Sequence, residues 1–295
     1  MKFPMFQGCG TALVTPFLED GNIDFDAYAR LVDRQVEGGV DFLVPVGTSA
    51  ETPALRQEEK LRLLQITREH APGVKIIAGV GVNCVHDTLA NIALLSPAGP
   101  DAYLTVVPYY NNPNQEGQYR YFRTIAEAAD RPVIIYNVPG RTGANMLPQT
   151  VLRLAADCPN IIGIKEASGD YSQVCTLLRS APEGFSVLSG DDDMTLALMA
   201  SGAHGVISVA SNVAPAEVSG MVHAMMDGRI DQARELHLRL FPLFKACFAE
   251  SNPIPAKAAL SLLGLCRSDM RLPLVPASEE TEALLKKVLK DLNLL

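Results

Sequence analysis

The sequence predicts an α/β fold of the (β/α)8 TIM-barrel type with a C-terminal helical domain, on three observations. Eight β-type runs recur over the first two-thirds of the chain, each closed by polar or glycine-rich residues and each followed by a helical pattern. The first seven are nearly continuous in Val, Ile and Leu, as parallel strands covered on both faces are. No G-x-G-x-x-G follows the first run, although an open doubly wound sheet usually carries one there. Strand–helix units at intervals of roughly 20–40 residues then fit the closed barrel.

The runs are, in order, GTALVTPF from Gly10, DFLVPVGTSAE from Asp41, VKIIAGVGVN from Val74 and AYLTVVPYYNNP from Ala102. RPVIIYNVPGRTG from Arg131, NIIGIKEASG from Asn160, GFSVLSGDDD from Gly184 and HGVISVASN from His204 complete them. Between them lie amphipathic stretches. FDAYARLVDRQVEGG places Tyr28, Leu31, Val32 and Val36 at helical spacing and ends in glycines, and EEKLRLLQITREHAPG stops at Pro-Gly. After Ala214 the strand pattern ends, and four helical stretches follow: PAEVSGMVHAMMDGR, DQARELHLRLFPLFKACF, PIPAKAALSLLG and ASEETEALLKKVLKDL. The first is expected to complete the barrel as its eighth helix. The last is expected to bury one face made of Leu284, Leu285, Val288, Leu289 and Leu292. Residues 1–228 are thus expected to form the barrel and 229–295 a helical domain, with no linker between them.

At 295 residues and 48% hydrophobic, the chain is long enough for a large core. Its formal net charge is −8 and it has no Lys/Arg-rich run, which argues against nucleic acid and anionic membranes as partners. Cys9, Cys84, Cys158, Cys175, Cys247 and Cys266 lie far apart with no C-x-x-C pair, as scattered reduced thiols do. The five histidines show no H-E-x-x-H spacing. MKFPMFQGCG lacks the apolar core of a secretory signal, and no apolar run approaches the ~18 residues of a membrane span. A cytoplasmic protein is expected.

In a (β/α)8 barrel, catalytic groups sit where strands end and βα loops begin. Those positions hold Thr48, Ser49, Asn83, Tyr109, Tyr110, Tyr136, Asn137, Arg141, Lys165 and Asp191. The set contains an amine, phenols, hydroxyls and a guanidinium, with neither a metal-ligand cluster nor a glycine-rich phosphate cradle. It favours covalent catalysis by an amine, without metal or cofactor. A carbonyl-attacking amine must be neutral, which an ordinary lysine with a pKa of about 10.4 is not. Apolar surroundings disfavour the charged form, and Ile161, Ile162 and Ile164 precede Lys165. From position alone two readings stay open for Lys165: an imine-forming amine, or a side chain that snorkels to the barrel mouth or pairs with Glu166 or a neighbouring acid.

The other positions are read in the same two ways. VGTSAE turns toward a helix, so its backbone N–H groups suit a carboxylate, while Thr48 and Glu51 also fit a capping box. Tyr136 and Tyr110 are candidate proton carriers or structural tyrosines. Arg141, on the tight loop VPGRTG, suits bidentate carboxylate recognition or a surface ion pair. Asp191, Asp192 and Asp193 read more simply as helix-opening acids than as a metal site.

Read together, GTSAETPAL, TVVPYYNNP, IIYNVPGRTG, IIGIKEASG, LSGDD, GVISVASNVAP and NPIPAKAAL resemble, in order and spacing, the dihydrodipicolinate synthase/N-acetylneuraminate lyase family. The resemblance covers essentially the whole chain. It implies the same barrel with C-terminal helices, assembled as a homotetramer. It assigns Lys165 as the Schiff-base lysine for pyruvate, Tyr136 as the proton carrier, and Thr48 as its link to Tyr110, which the family borrows from a neighbouring subunit. The amides of Thr48 and Ser49 would hold the pyruvate carboxylate, and the backbone at Ile207 would line the site. Arg141 resembles the synthase branch, whose arginine receives the carboxylate of L-aspartate 4-semialdehyde on the route to diaminopimelate and lysine.

Two departures from the family pattern stand out. GTSAE replaces the common GTTGE, and Ala50 lacks the freedom of glycine at positive φ, so a slightly altered turn is expected. Gln57 and Lys60 stand where feedback-inhibited relatives carry lysine-binding groups, although Asn83, Asp87 and Tyr109 keep the matching half. Weak or absent inhibition by lysine follows. The rival readings are a sister pyruvate-imine lyase acting on N-acetylneuraminate or 2-keto-3-deoxy sugar acids, and a catalytically silent homologue. The second would be favoured by loss of Lys165, Tyr136 or Thr48, and all three are present.

Overall fold

The computed structural model describes residues 4–295; Met1, Lys2 and Phe3, part of the stretch read for a secretory signal, lie outside the described residues. Eight strands close into a barrel in chain order. They are β1 (Gly8–Ala12), β2 (Phe42–Val44), β3 (Lys75–Gly79), β4 (Ala102–Val106), β5 (Val133–Asn137), β6 (Ile161–Glu166), β7 (Ser186–Ser189) and β8 (Gly205–Ser208). Pairing is parallel between β1 and β2 and along the series from β3 to β8. Each strand falls on one of the eight predicted runs, except that β1 begins at Gly8, ahead of its run. The continuous apolar runs have the predicted meaning. Successive strand residues point to opposite faces, and Val133, Ile134 and Ile135 are all fully buried. Both faces of β5 are therefore covered.

The helices are α1 (Phe25–Glu37), α2 (Gln57–His70), α3 (Val85–Leu95), α4 (Gln115–Ala128), α5 (Pro139–Thr142) and α6 (Pro148–Asp157). After them come α7 (Tyr171–Ser180), α8 (Thr195–Ala200), α9 (Pro215–Met226), α10 (Ile230–Ala246), α11 (Ile254–Leu262) and α12 (Glu279–Asp291). Helix α1 shows how sequence makes them. The Asp24 carboxylate accepts the Ala27 N–H at 2.8 Å as an N-cap, a bond that contributes about 1 kcal/mol. Ala27, Tyr28, Leu31 and Val32 form the buried stripe, and Gly39 at φ 73 follows the helix end. Asn114, Asp170 and Ser278 cap α4, α7 and α12 in the same way. On α12 the buried stripe is Leu285, Val288, Leu289 and Leu292. Leu284, expected on that face, lies at its edge and is 41% exposed. Each fully buried leucine contributes roughly 1.5–3 kcal/mol.

The chain divides into two compact units. One holds Ile76–Ile207 with the segment that ends at Gln7, and the other holds Gly8–Lys75 with Ser208–Leu295. The first carries β4 to β7 entire; the second carries β1, β2 and α9 to α12. No helix among the described residues is long and apolar enough to cross a membrane.

Candidate active site

In the first unit, strand register brings the two central candidates together. Lys165 on β6 pairs with Tyr136 on β5 and with Leu188 on β7. Both side chains are buried, at 5% and 8% exposure. The Lys165 Nζ lies 4.3 Å from the centroid of the Tyr136 ring, within cation–π range. Two glycines fit into the crowded space around β6: Gly163 lets it approach β7 closely, and Gly190 leaves room for the lysine itself. A Cβ at Gly163, two residues earlier on β6, would stand 2.7 Å from the Ser186 carbonyl oxygen. At Gly190 it would meet the Ala167 Cβ at 2.5 Å and the Lys165 Cε at 3.2 Å. Strand pleating also revises the expected surroundings of the amine. Ile164 points to the face opposite Lys165, and the Tyr136 ring and the charge of Asp191 act on the amine.

Asp191 follows β7 and precedes a short turn of helix at Asp192–Met194, the position expected of an N-cap, yet its side chain makes no capping bond. Burial pushes its carboxyl up to about 6, partly offset by the charge of Lys165. Because this value lies above that of the unfolded chain, Asp191 lowers stability as pH rises through the interval between about 4 and about 6. Asp191→Asn should therefore flatten the pH dependence of Tm across that interval, by a few degrees in a thermal scan. An unchanged profile would show that Asp191 is not the group titrating there. Among the described residues, no three His, Cys, Asp or Glu side chains gather as a metal site would need.

Glu166, one of the acids left open as a partner for Lys165, points elsewhere. It accepts from Asn137 Nδ2 at 3.1 and 3.2 Å, from Gln173 Nε2 at 3.1 Å and from the Ser168 N–H at 2.8 Å. Burial raises its carboxyl above the usual range, and the donors from Asn137, Gln173 and Ser168 pull it back down. Asn137 extends the network. Its Nδ2 donates to Asn145 Oδ1 at 2.8 Å, and its Oδ1 accepts the Met146 N–H at 3.0 Å. Gln115 on α4 donates to the Asn145 carbonyl and accepts the Leu147 N–H. The residues beside Lys165 and Tyr136 thus fix the segment that follows Arg141. Position alone marked Asn137 as a strand-end residue, but nothing in the sequence pointed to this network.

Arg141 is exposed on the one-turn helix α5, which opens with Pro139 and closes at Gly143 in the left-handed region, φ 72. Tyr110, in the loop after β4, holds a left-handed φ of 71 and is 93% exposed. Its phenol is therefore almost wholly in solvent and does not join the other site residues of this unit. Ile207 on β8 is fully buried.

In the second unit the turn after β2 carries Thr48 and Ser49. A three-residue helical turn, Thr48–Ala50, starts after Gly47. The Ala50 and Glu51 N–H groups close onto the Gly47 and Thr48 carbonyls. Among the described residues, the N–H groups of Thr48 and Ser49 have no hydrogen-bond acceptor. Two amides pointing out of a turn suit a carboxylate. The capping-box reading fails, because the Glu51 side chain goes to Lys257 Nζ at 2.9 Å and to the Arg271 N–H at 3.1 Å. Positive φ falls at Val46 (58) and Glu51 (56), not at Ala50. The alanine that replaces glycine therefore needs no special conformation. The strain sits on its neighbours, at about 1–3 kcal/mol each. Asn252 Nδ2 donates to Ser49 Oγ at 2.9 Å. Sequence reasoning gave Asn252 and Lys257 no role, although a lysine within the apolar PIPAKAAL was a visible signal.

Comparisons with known proteins agree over the whole chain. A model described as the dihydrodipicolinate synthetase family matches residues 5–292. The 4-hydroxy-tetrahydrodipicolinate synthase of Thermotoga neapolitana is 49% identical over 295 residues, covering 99% of this chain and 100% of its own. The crystal structure of dihydrodipicolinate synthase from Thermotoga maritima superposes with a TM-score of 0.96 at 45% identity, covering 99% of this chain and 100% of that one. A chain from work on a monomeric dihydrodipicolinate synthase variant gives 0.97 at 45% identity, covering 99% and 98%.

Proposed function

The chain belongs to the dihydrodipicolinate synthetase family, and from that premise we propose that it condenses pyruvate with L-aspartate 4-semialdehyde through an imine on Lys165. The observation that carries this reading is the pairing of Lys165 with Tyr136 across β5 and β6, amine against phenol ring at 4.3 Å. The Lys165 Nζ attacks the pyruvate keto carbon, and the carbonyl oxygen leaves as water. The protonated imine withdraws electrons from the neighbouring methyl carbon, which gives up a proton and becomes an enamine. The enamine carbon attacks the aldehyde. The amine of the second substrate then adds to the imine carbon and displaces Lys165, closing the ring.

Each remaining candidate has a part. The Tyr136 hydroxyl carries protons to and from the imine, a task that contributes about 10²–10⁴-fold. The Thr48 and Ser49 amides receive the pyruvate carboxylate, and the backbone at Ile207 serves as a further substrate contact. Arg141 takes the carboxylate of the aldehyde substrate. The exposed Tyr110, held at φ 71, suits a tyrosine lent to the Thr48 of a second subunit, so a homotetramer is the proposed assembly. The regular elements described within 229–295 are α10, α11 and α12, which supports reading that stretch as a helical domain joined to a TIM barrel. A cytoplasmic location fits this chemistry.

Substrate choice tests the function directly. Purified protein supplied with pyruvate and L-aspartate 4-semialdehyde should turn over, and N-acetylneuraminate or 2-keto-3-deoxy sugar acids should give little cleavage. Preference for a sugar acid would replace the synthase by the lyase reading. Arg141→Ala should lower kcat/KM for the aldehyde by about 10²–10³-fold, the worth of a bidentate charge-assisted contact. Imine formation with pyruvate should change by no more than about threefold. Equal loss of both would remove Arg141 from aldehyde recognition.

A further inference from the structure

Lys257 on α11 is fully buried, a setting that lysine occupies only with a partner. Its ammonium donates to Glu51 Oε1 at 2.9 Å and to the Asp269 carbonyl, and it lies 4.2 Å from the centroid of the Phe17 ring. The second Glu51 oxygen accepts the Arg271 N–H. Glu51 closes the turn that presents the Thr48 and Ser49 amides, and it does so at φ 56. A side-chain-bearing residue persists in that conformation only where its surroundings over-determine it. Lys257 is such a constraint. Asn252, five residues earlier, holds the same turn at Ser49 Oγ. The start of α11 and the turn before it therefore grip the Thr48–Ser49 turn at two points.

We propose that Lys257 is a positioning residue for keto-acid capture: its ammonium anchors Glu51 and thereby fixes the Thr48 and Ser49 amides that receive the substrate carboxylate. This role rests on the assignment of those amides as the carboxylate site. A purely structural ion pair would affect folding and leave the substrate untouched. A positioning pair shifts the pyruvate concentration needed for capture, because misaligned amides weaken carboxylate binding more than the later chemistry. Lys257 touches no reacting atom, so turnover at saturating pyruvate is largely retained.

The test uses the full chain and the variants Lys257→Met and Glu51→Gln/Lys257→Met. The readouts are Tm, the pyruvate concentration giving half-maximal borohydride-trapped adduct, and kcat at saturating pyruvate. Lys257→Met should raise half-saturation by about tenfold or more and leave kcat within about threefold of the parent. It should also lower Tm, since it leaves a buried carboxylate without its cation. The double variant should recover much of the Tm, because apolar groups replace buried ion pairs well, yet keep the raised half-saturation. A folded Lys257→Met with parental half-saturation overturns the proposal, as does half-saturation that recovers together with Tm. If Lys257→Met does not fold, the double variant decides alone: parental half-saturation overturns the proposal and a raised value supports it. Ser49→Pro, which deletes one amide donor near the start of the turn, separates the two layers. Parental half-saturation in Ser49→Pro would sink the carboxylate assignment itself. A raised value there beside an unchanged one in Lys257→Met sinks only the role of Lys257.

Discussion

Replacing Lys165 by alanine or by arginine is expected to abolish the borohydride-trapped pyruvate adduct and to lower turnover by about 10⁴-fold or more. Trapping followed by peptide mass mapping should place the adduct of the parent on the peptide containing Lys165. The effect is large because the imine is the electron sink for both proton loss and carbon–carbon bond formation, and Lys165 is the sole lysine between Ile76 and Ile207. Arginine keeps the charge and approximate reach but offers no nucleophilic amine at accessible pH. It therefore separates electrostatic from covalent roles. A stable adduct on another lysine, or turnover surviving in Lys165→Arg, would remove the imine chemistry from this protein. The fold should survive the alanine change, since Lys165 forms no buried ion pair with Glu166, which is held by Asn137, Gln173 and Ser168.

Tyr136→Phe should lower turnover by about 10²–10³-fold. The phenylalanine ring keeps the surface against which the Lys165 Nζ packs at 4.3 Å, so the deletion is confined to the hydroxyl. Exchange of the pyruvate methyl protons with D2O, followed by NMR without the aldehyde, reports imine and enamine formation alone. It should fall by a similar factor. Tyr136→Ala should lose more, because the amine then also loses its packing surface. Methyl exchange at the parental rate in Tyr136→Phe would exclude the hydroxyl as the proton carrier for that step.

Much of this was readable from the chain itself because its cause is local. Seven of the eight β-type runs are nearly continuous in Val, Ile and Leu, as strands covered on both faces are, and all eight became barrel strands. The position of Lys165 at the end of such a run likewise marked it as a strand-end amine, and Tyr136 could be placed in the same way. What failed depended on the direction of side chains. Glu166 was one of the acids that position alone left open as a partner for Lys165. Adjacent strand residues face opposite ways, so it joins Asn137 and Gln173 instead. Ile164, next to Lys165 in the strand, faces away from it for the same reason. The apparent capping box at Thr48 and Glu51 had the right spacing, but Glu51 was claimed by a lysine 206 positions away.

The amino-acid order alone determined the barrel class, the strand–helix alternation and the chemical inventory at the strand ends. These follow from periodicity, burial and turn chemistry within a dozen residues. Tertiary structure alone decided which amine meets which phenol, which carboxylates turn away, and what holds the Thr48–Ser49 turn. Those outcomes depend on strand register and on partners distant in sequence, such as Lys257 and Asn252. No local free-energy preference encodes a meeting between groups that only folding brings together.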